Sequence, residues 1–438
     1  MAERLCVPRC PPYLRLISGG SDGTIKLWDL EQCSNPSSPP QAHTYRPLAT
    51  IPRANNTSTS TITSNSPTAA AAHRFGITHL SFYPLDPGAF LSTSYDQTLK
   101  LWSTSQAQVS GSFDLGAKVH THAMSPVASS NLLVACGTQH PAVKLVDLRS
   151  AAAVQSLVVP GPMGGAAGPT LALAWSPAHE HVLAAGSVDG GVRIWDVRRG
   201  AGGLVGMLDC EDAVGIGTGS NGGGGGRGDG PRLSVKAHSG PVNGLAWTDD
   251  GDYIISAGHD RRIRVWDAAT GANTLANFGP SIRNSQLGRV TMFVSPTGLT
   301  PPGRELLFFP NETEILVMEL HEGTIVTRLR GTGPAVASVR AERGGERTVK
   351  NRLTSIVWRG AGGGGSSSGV VMGGTNAAGG IYSAHLDGQI RAWLPQLEGS
   401  DGEDEEESQR NEDDVGARKR KALDDAFQSL MGRKITFS

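Results

Sequence analysis

Features typical of membrane, secreted and metal-binding proteins are scarce in this sequence of 438 residues. No apolar run approaches the roughly 18 residues that a membrane-spanning helix needs, and the N-terminal stretch MAERLCVPRCPP lacks the apolar core of a secretory signal. The five cysteines form no C-x-x-C pair and have no closely spaced histidine, which argues for a reducing compartment and against structural zinc. No phosphate-binding loop, HExxH or kinase motif occurs, so the sequence indicates no metal, no cofactor and no enzyme.

Net charge is also nearly absent, at −1, but the charges are unevenly distributed. Residues 398–438 contain 12 acidic and 7 basic residues, and the rest of the chain has 32 basic and 28 acidic residues. A body this weakly basic does not predict bulk or sequence-specific binding to nucleic acid.

Glycine and proline are abundant, at 58 and 26 residues, which favours many short strands and turns over a helical bundle. A repeated frame runs through the chain: a serine, an aspartate four residues later and a tryptophan six residues after that. The frame occurs in full at Ser18-Asp22-Trp28, Ser92-Asp96-Trp102, Ser256-Asp260-Trp266 and Ser383-Asp387-Trp393. A fifth copy keeps Asp189 and Trp195, and degenerate copies at Cys136-His140-Val146 and Phe308-Glu312-Met318 bring the number to seven.

Each copy consists of an apolar run, a tight turn at the aspartate and an alternating run, with a further alternating strand upstream. This pattern predicts the four-stranded blade of an all-β, seven-bladed propeller. The aspartate needs partners if it is buried, and His238, Ser256, Asp260 and Trp266 supply a full set in the fifth blade. A Ser-His-Asp catalytic triad is the alternative, but a catalytic set has no reason to recur around a ring, so we interpret these residues as structural.

The spacing of the copies places the propeller at residues 13–396 and a disordered tail at residues 397–438. Three long gaps between copies, near residues 34–72, 211–231 and 341–380, are rich in small and polar residues and predict mobile insertions. The segment before Ile17 shows neither helical nor strand periodicity, so we expect the first blade to be incomplete. On this view, a chain extended upstream is more stable and binds its partner better.

The closing Trp-Asp pairs at Trp28-Asp29, Trp195-Asp196 and Trp266-Asp267 resemble those of the WD-repeat family. More specific stretches, in order, are ISGGSDGTIKLWDLE, STSYDQTLKLW, THAMSPVASSNLLVACGT, GVRIWDVRRG, HSGPVNGLAWTDDGDYIISAGHD and GANTLANFGPSIRNS. Together they resemble the Cockayne syndrome group A family.

That resemblance implies a nuclear, non-catalytic substrate receptor of a cullin-4 RING ubiquitin ligase. Members dock on the adaptor, damage-specific DNA-binding protein 1, and act in transcription-coupled nucleotide excision repair. They work with the Cockayne syndrome group B ATPase at stalled RNA polymerase II. The alternative is a WD-repeat scaffold of another nuclear complex, in chromatin or RNA processing.

The resemblance also implies an adaptor-binding motif, W-D-x-R, at Trp195-Asp196-Val197-Arg198, with a weaker copy containing Asp147 and Arg149. A guanidinium suits bidentate pairing with a partner's carboxylate or carbonyl groups. The alternative is a solvated arginine that pairs with its own aspartate.

Three further groups of residues are candidates for binding. The cluster of Arg261, Arg262 and Arg264 suits an acidic partner or nucleic acid, and more often such a cluster is a solvated turn. In the tail, Arg418, Lys419, Arg420 and Lys421 resemble a nuclear import signal, with a charge-balanced disordered tail as the alternative. Beyond them, Leu423, Ala426, Phe427, Leu430 and Met431 form a helical stripe that suits partner docking, although a frayed tail is favoured.

Overall fold

The structure is a computed structural model. It describes residues 4–6, 15–30, 46–54, 72–84, 86–127, 132–150, 152–159, 168–212, 236–286, 288–296, 300–301, 303–331, 335–340, 346–358 and 380–393. These residues form seven antiparallel blades arranged as a β-propeller, which confirms the predicted fold class. The part of the chain that the structure describes contains no helix long and apolar enough to cross a membrane.

The strands follow the order of the chain, and each pairs with the next within its blade. Blade one contains β1 (Arg4–Cys6), β2 (Arg15–Gly19), β3 (Ile25–Asp29) and β4 (Pro47–Ile51). Blade two contains β5 (Ile77–Phe82), β6 (Ala89–Ser94), β7 (Thr98–Ser103) and β8 (Gln108–Asp114). Blade three contains β9 (Val119–Met124), β10 (Leu133–Thr138), β11 (Val143–Asp147) and β12 (Ala152–Leu157).

The fourth blade adds a short 3-10 helix, Val197–Gly202, between its third and fourth strands. Blade four contains β13 (Thr170–Trp175), β14 (Val182–Ser187), β15 (Val192–Asp196) and β16 (Leu204–Leu208). Blade five contains β17 (Val242–Trp247), β18 (Tyr253–Gly258) and β19 (Ile263–Asp267). Blade six contains β20 (Phe293–Val294), β21 (Leu306–Asn311), β22 (Glu314–Glu319) and β23 (Ile325–Arg330). Blade seven contains β26 (Leu353–Trp358), β27 (Ile381–His385) and β28 (Ile390–Trp393). Between them, β24 (Val336–Arg340) and β25 (Glu346–Lys350) form a separate hairpin.

The hydrophobic core is divided among the seams between neighbouring blades. Trp102 packs with Ile25 and Leu27 between blades one and two, and Trp266 packs with Leu208 and Val242 between blades four and five. Leu16 packs with Tyr382 and Ala384 of blade seven, so the last blade meets the first across an apolar seam. The tryptophan of the repeat frame therefore fills the gap between two sheets.

The strands that the structure describes differ from two expectations at this level. The first blade has four strands, because β1 pairs with β2 through Arg4↔Gly19, Leu5↔Ser18 and Cys6↔Ile17. Three residues are too short for a periodicity to show, yet backbone hydrogen bonding is enough to complete the sheet.

The expected insertions near residues 34–72 and 341–380 also contain strands. The first includes β4, with Ala54 and Ala72 in the apolar seam, and the second includes β25 and β26. Composition predicted loops because small and polar residues outnumber the few residues of these segments that lie in strands. Apart from Glu211 and Asp212, the predicted insertion at 211–231 lies outside the described residues, as does the tail.

Candidate protein-binding surfaces

The full set of frame residues in the fifth blade forms one hydrogen-bonded chain. Asp260 lies 2.9 Å from His238 Nδ1, and His238 Nε2 lies 2.8 Å from Ser256 Oγ. Trp266 Nε1 donates to the same hydroxyl at 2.8 Å. His238, Ser256 and Trp266 are fully buried, so the serine is out of reach of any substrate in this arrangement.

Burial and pairing set the charges in this chain. Burial lowers the pKa of His238, which favours the neutral imidazole. Burial alone would raise the pKa of Asp260, but hydrogen bonds from His238 and Arg264 outweigh it and hold the pKa well below its usual range. Arg264 of the predicted arginine cluster contacts Asp260 at 3.0 Å, while Arg261 and Arg262 are exposed on the turn.

The second blade repeats the set with a histidine that the sequence frame did not identify. His73 contacts Asp96 at 2.8 Å and Ser92 at 2.6 Å, and Trp102 donates to Ser92 at 2.7 Å. His73 precedes its aspartate by 23 residues and His238 precedes Asp260 by 22. A histidine 22 or 23 residues before the frame aspartate is the signal that would have identified it.

The other good copies keep the serine and tryptophan and change the rest. Trp28 donates to Ser18, and Trp393 donates to Ser383, each at 2.9 Å. Asp22 accepts from Thr24 of its own turn, while Asp387 accepts from Arg391 and Asn351. In the fourth blade Arg193 binds Asp189 in place of a histidine, and Trp195 Nε1 has no hydrogen-bond partner among the described residues.

The strand order gives the propeller two faces. Turns that join the second strand of a blade to the third, and the connections between blades, lie on one face, which we call the pocket face. Turns that join the first strand to the second, and the third to the fourth, lie on the other, which we call the Asp–Arg face. It carries the ends of β11 and β15, where the sequence placed the W-D-x-R motif.

On the Asp–Arg face, each arginine grips its own aspartate with two donors. Arg198 Nε and Nη2 lie 3.0 and 2.8 Å from the two carboxylate oxygens of Asp196. Arg149 makes the same contacts to Asp147 at 3.3 and 3.1 Å. The two pairs are on adjacent blades, and β12 contacts the 3-10 helix that carries Arg198.

These pairs are fixed but open to a partner. The hydrogen bonds from Arg198 lower the pKa of Asp196 to about 2, so the carboxylate stays charged at neutral pH. The Arg198 and Arg149 side chains are 63% and 70% exposed. A guanidinium has five N–H groups, so each arginine keeps donors for a partner while its own aspartate holds it in place. In the unbound protein each arginine pairs with its own aspartate, which is the alternative that the sequence left open.

On the pocket face, a cavity of about 440 Å³ opens between blades two and five. Its walls are residues from the turns and strand starts of four consecutive blades: Tyr95, Lys118, His120, Gln139, Pro169, Leu171, Val188, Pro241 and His259. No carboxylate is among them. The sequence frame predicted no role for any of these residues.

Polar side chains from opposite blades also meet across the centre of the ring. Arg289, just before β20 of blade six, donates to the imidazole of His79 on β5, and its Nη1 lies 3.3 Å from Thr121 on β9. His79 packs on His122 with ring centroids 4.3 Å apart. Burial, followed by the charge of Arg289, lowers the pKa of His122 to about 3.

The sequence matches the profile of the "WD domain, G-beta repeat" family over residues 5–29, 66–103, 164–196 and 230–267. Those segments lie in blades one, two, four and five, four of the seven blades that the structure shows. The chain is a WD-repeat protein. The profile segments pass over the two degenerate copies and also the seventh blade, whose frame is intact.

Relatives of this WD-repeat protein carry names from two areas of biology. It is 27% identical to "WD repeat-containing protein ATCSA-1" of Arabidopsis thaliana over 368 residues, covering 72% of this chain and 75% of the plant protein. It is 26% identical to "Radiation-sensitive protein 28" of Saccharomyces cerevisiae, covering 44% of this chain and 38% of the yeast protein. It is 28% identical to "Ribosome biogenesis protein YTM1" of Podospora anserina, covering 58% of this chain and 51% of that protein. The chain thus spans less than two thirds of either fungal relative.

Proposed function

We propose that this WD-repeat protein is a non-catalytic substrate receptor of a cullin-4 RING ubiquitin ligase in transcription-coupled nucleotide excision repair. In this role it docks on damage-specific DNA-binding protein 1 and works with the Cockayne syndrome group B ATPase at stalled RNA polymerase II. The likeness to the plant relative over most of both chains, together with the name of the yeast relative, supports a role in repair. The proposal includes a nuclear location, for which Arg418–Lys421 would serve as the import signal outside the described residues.

The observation that carries the adaptor role is the pair of matching Asp–Arg clamps on adjacent blades. Two exposed guanidiniums, each held by a carboxylate, present preorganised donors on one face of the ring. Asp196 and Asp147 would act by positioning, and Arg198 and Arg149 by contacting the adaptor.

The test is adaptor affinity after charge reversal. Interface arginines of this kind cost about 2 kcal/mol or more when lost, so Arg198→Asp should weaken adaptor binding about 30-fold. The double variant with Arg149→Asp should weaken it further. Each substitution also removes the partner of an aspartate, and Asp196 is largely buried, so the melting temperature should fall by a few degrees while unfolding stays cooperative.

Arg330→Asp is the matched control. Arg330 is 71% exposed and also binds a carboxylate, Glu314, at 2.8 Å, but it lies on blade six. Adaptor affinity that is unchanged in the Arg198 and Arg149 double variant, or reduced equally in the control, would remove the basis of the adaptor assignment.

A second candidate, a scaffold in ribosome assembly, is favoured by the match to a ribosome biogenesis protein over 58% of this chain. Affinity purification followed by mass spectrometry, with and without ultraviolet damage, separates the two. Retention of the adaptor and cullin-4 supports the receptor, whereas retention of pre-ribosomal proteins without them supports the scaffold.

A further inference from the structure

The walls of the pocket come from a repeated position of the frame, not from a single loop. Tyr95, Val188 and His259 each stand directly before the frame aspartate of their blade. In each case the following aspartate turns inward to bind its own blade, and its neighbour faces the cavity. The frame aspartate is the same in these blades, whereas the residue before it differs from blade to blade.

Apolar surface dominates the lining of the pocket. Tyr95 and Val188 are 44% and 37% exposed, high values for large side chains on a folded protein. Leu171 and two prolines complete this side of the cavity. Exposed apolar side chains grouped in a concave site are typical of a surface that a ligand covers.

The charge of the pocket is positive. Lys118 is exposed and makes no ion pair with any described residue. Three frame carboxylates next to the pocket have partners of their own: Asp189 pairs with Arg193, Asp260 pairs with Arg264, and Asp96 bonds to His73 and interacts with the charge of Lys100. Lys118 also lies near enough to His120 to add to the lowering of that histidine's pKa, after burial. A cation beside an apolar hollow, with no carboxylate in the wall, is complementary to an acidic ligand that also carries apolar groups.

We propose that this pocket binds a linear acidic segment of a partner protein and takes one large apolar side chain of that segment between Tyr95, Leu171 and Val188. A cavity of about 440 Å³ suits one or two such side chains and lies at the small end of the range for binding pockets. One lysine in the wall complements a carboxylate beside the inserted side chain, whereas a nucleic-acid strand needs several cations along its backbone. The pocket face is opposite the Asp–Arg face, so the segment and an adaptor would bind without competing.

The experiment uses a phage-displayed library of random 12-residue peptides, selected on the full chain. Enriched peptides, labelled with fluorescein, are then titrated with wild type and with Val188→Glu and Lys118→Glu. We expect enriched sequences to place Asp or Glu next to an aromatic or large aliphatic residue. Each variant should weaken binding by at least about tenfold, because each sets a carboxylate against the acidic ligand.

Two matched controls test whether position, not charge alone, decides the result. Val205→Glu makes the same change at a valine of blade four that is 59% exposed on the outer strand. Arg304→Glu reverses an exposed cation between β20 and β21, on the Asp–Arg face. Both controls should bind the peptides as the wild type does.

Three results would overturn the proposal. The first is a library that yields no acidic-apolar consensus, and the second is selected peptides that bind Val188→Glu and Lys118→Glu as tightly as the wild type. The third is a labelled peptide of residues 401–414 that outcompetes them, with stronger library binding after deletion of residues 397–438, which would make the chain's own acidic tail the occupant. The assay contains no adaptor, so its failure leaves the proposed receptor function standing, and failure of the adaptor test leaves the pocket standing.

Discussion

In blades two and five, the serine of the repeat frame has two buried partners to satisfy. Its one hydroxyl must accept from the tryptophan indole and also bond the histidine ring, as Ser92 and Ser256 do in the fully buried interior. A buried polar group left without a partner costs about 1–3 kcal/mol, so serine, tryptophan and histidine hold each other in place. The frame thus supplies a tryptophan that packs in the seam between blades and a chain of hydrogen bonds that holds the turn at the aspartate.

Trp266→Ala should lower the free energy of unfolding by about 3–5 kcal/mol, because it leaves a cavity in the seam between blades four and five. Trp28→Ala is the matched comparison, since Trp28 makes the same bond to its serine but is partly exposed. We expect a smaller loss there. Urea denaturation of both variants measures the difference, and equal losses would show that burial in the seam does not set the cost.

His122 should make stability depend on pH. Its folded pKa of about 3 lies below the ordinary histidine value of 6.5, so between these pH values the unfolded chain binds a proton that the folded chain excludes. Stability therefore falls as pH drops below 6.5, by about 1.4 kcal/mol per pH unit for this residue.

His122→Gln removes that proton-binding site and should make the pH dependence shallower. The measurement is the free energy of unfolding at pH 7 and pH 5, by urea titration. Asp260 contributes in the same direction only below the usual aspartate pKa of 3.8, outside this window. A slope that is unchanged in the variant would show that His122 is not kept neutral by burial.

How far the sequence predicts single residues depends on whether their partners are local. Ser256, Asp260 and Trp266 could be assigned because fixed spacing within one blade joins them. His73 was missed because a long insertion separates it from the first blade and hides the frame, although it precedes Asp96 by 23 residues, one more than His238 precedes Asp260. Arg289 contacts His79 across 210 positions, and no spacing rule connects positions that far apart.

At the scale of the element, the turns set the tightest steric limits. Gly190 has a φ of +88°, and a Cβ there would lie 2.2 Å from the backbone oxygen of His238 in the next blade. Gly116 also has a positive φ, of +63°, but a Cβ added there would have no described atom within 4 Å. Substitutions at these two glycines therefore distinguish the cost of backbone strain alone from the cost of strain plus a steric clash.

Gly116→Ala should cost about 1–2 kcal/mol, the penalty of a left-handed conformation for a residue with a side chain. Gly190→Ala should cost clearly more, because backbone of the fifth blade must also move. Thermal melts of the two variants compare the costs. A similar shift for both would mean that the turn can move away from His238 without loss.

Strands on the outer edge of a blade are the elements that sequence predicts least well. In β4, Ile51 is buried but Pro47 and Leu48 are exposed, so the alternation that marks a strand is weak. Such a strand needs only backbone hydrogen bonds from its neighbour, and these leave no pattern in the side chains. The second strand of a blade could be predicted from its continuous apolar run, and the first and third strands from their alternating patterns.

At the scale of the whole molecule, a very short strand lies where the ring closes. β1 pairs with β2 and also contacts β5 of blade two and β26 of blade seven. It therefore joins three blades near the axis although it has three residues. The apolar seam between Leu16 and Tyr382 supports the same junction farther out.

Deleting residues 1–7 should lower the free energy of unfolding by about 1–3 kcal/mol, the value of two or so net hydrogen bonds. Deleting residues 1–3 is the control, because it leaves β1 in place. Limited proteolysis alongside the thermal melt would show where the ring opens. Equal stability of both deletions would mean that the seam at Leu16 closes the ring without β1.

The Arg289 side chain ties blade six to blades two and three across the channel, in addition to the contacts that run around the ring. In a plain ring of blades, a local opening is transmitted only to its two neighbours. Here a fluctuation that withdraws Arg289 also removes its hydrogen bonds to His79 and Thr121 on the far side. We therefore expect amide hydrogen exchange in blades two and three to be coupled to the opening of blade six, so that blades on opposite sides of the ring belong to one cooperative unit.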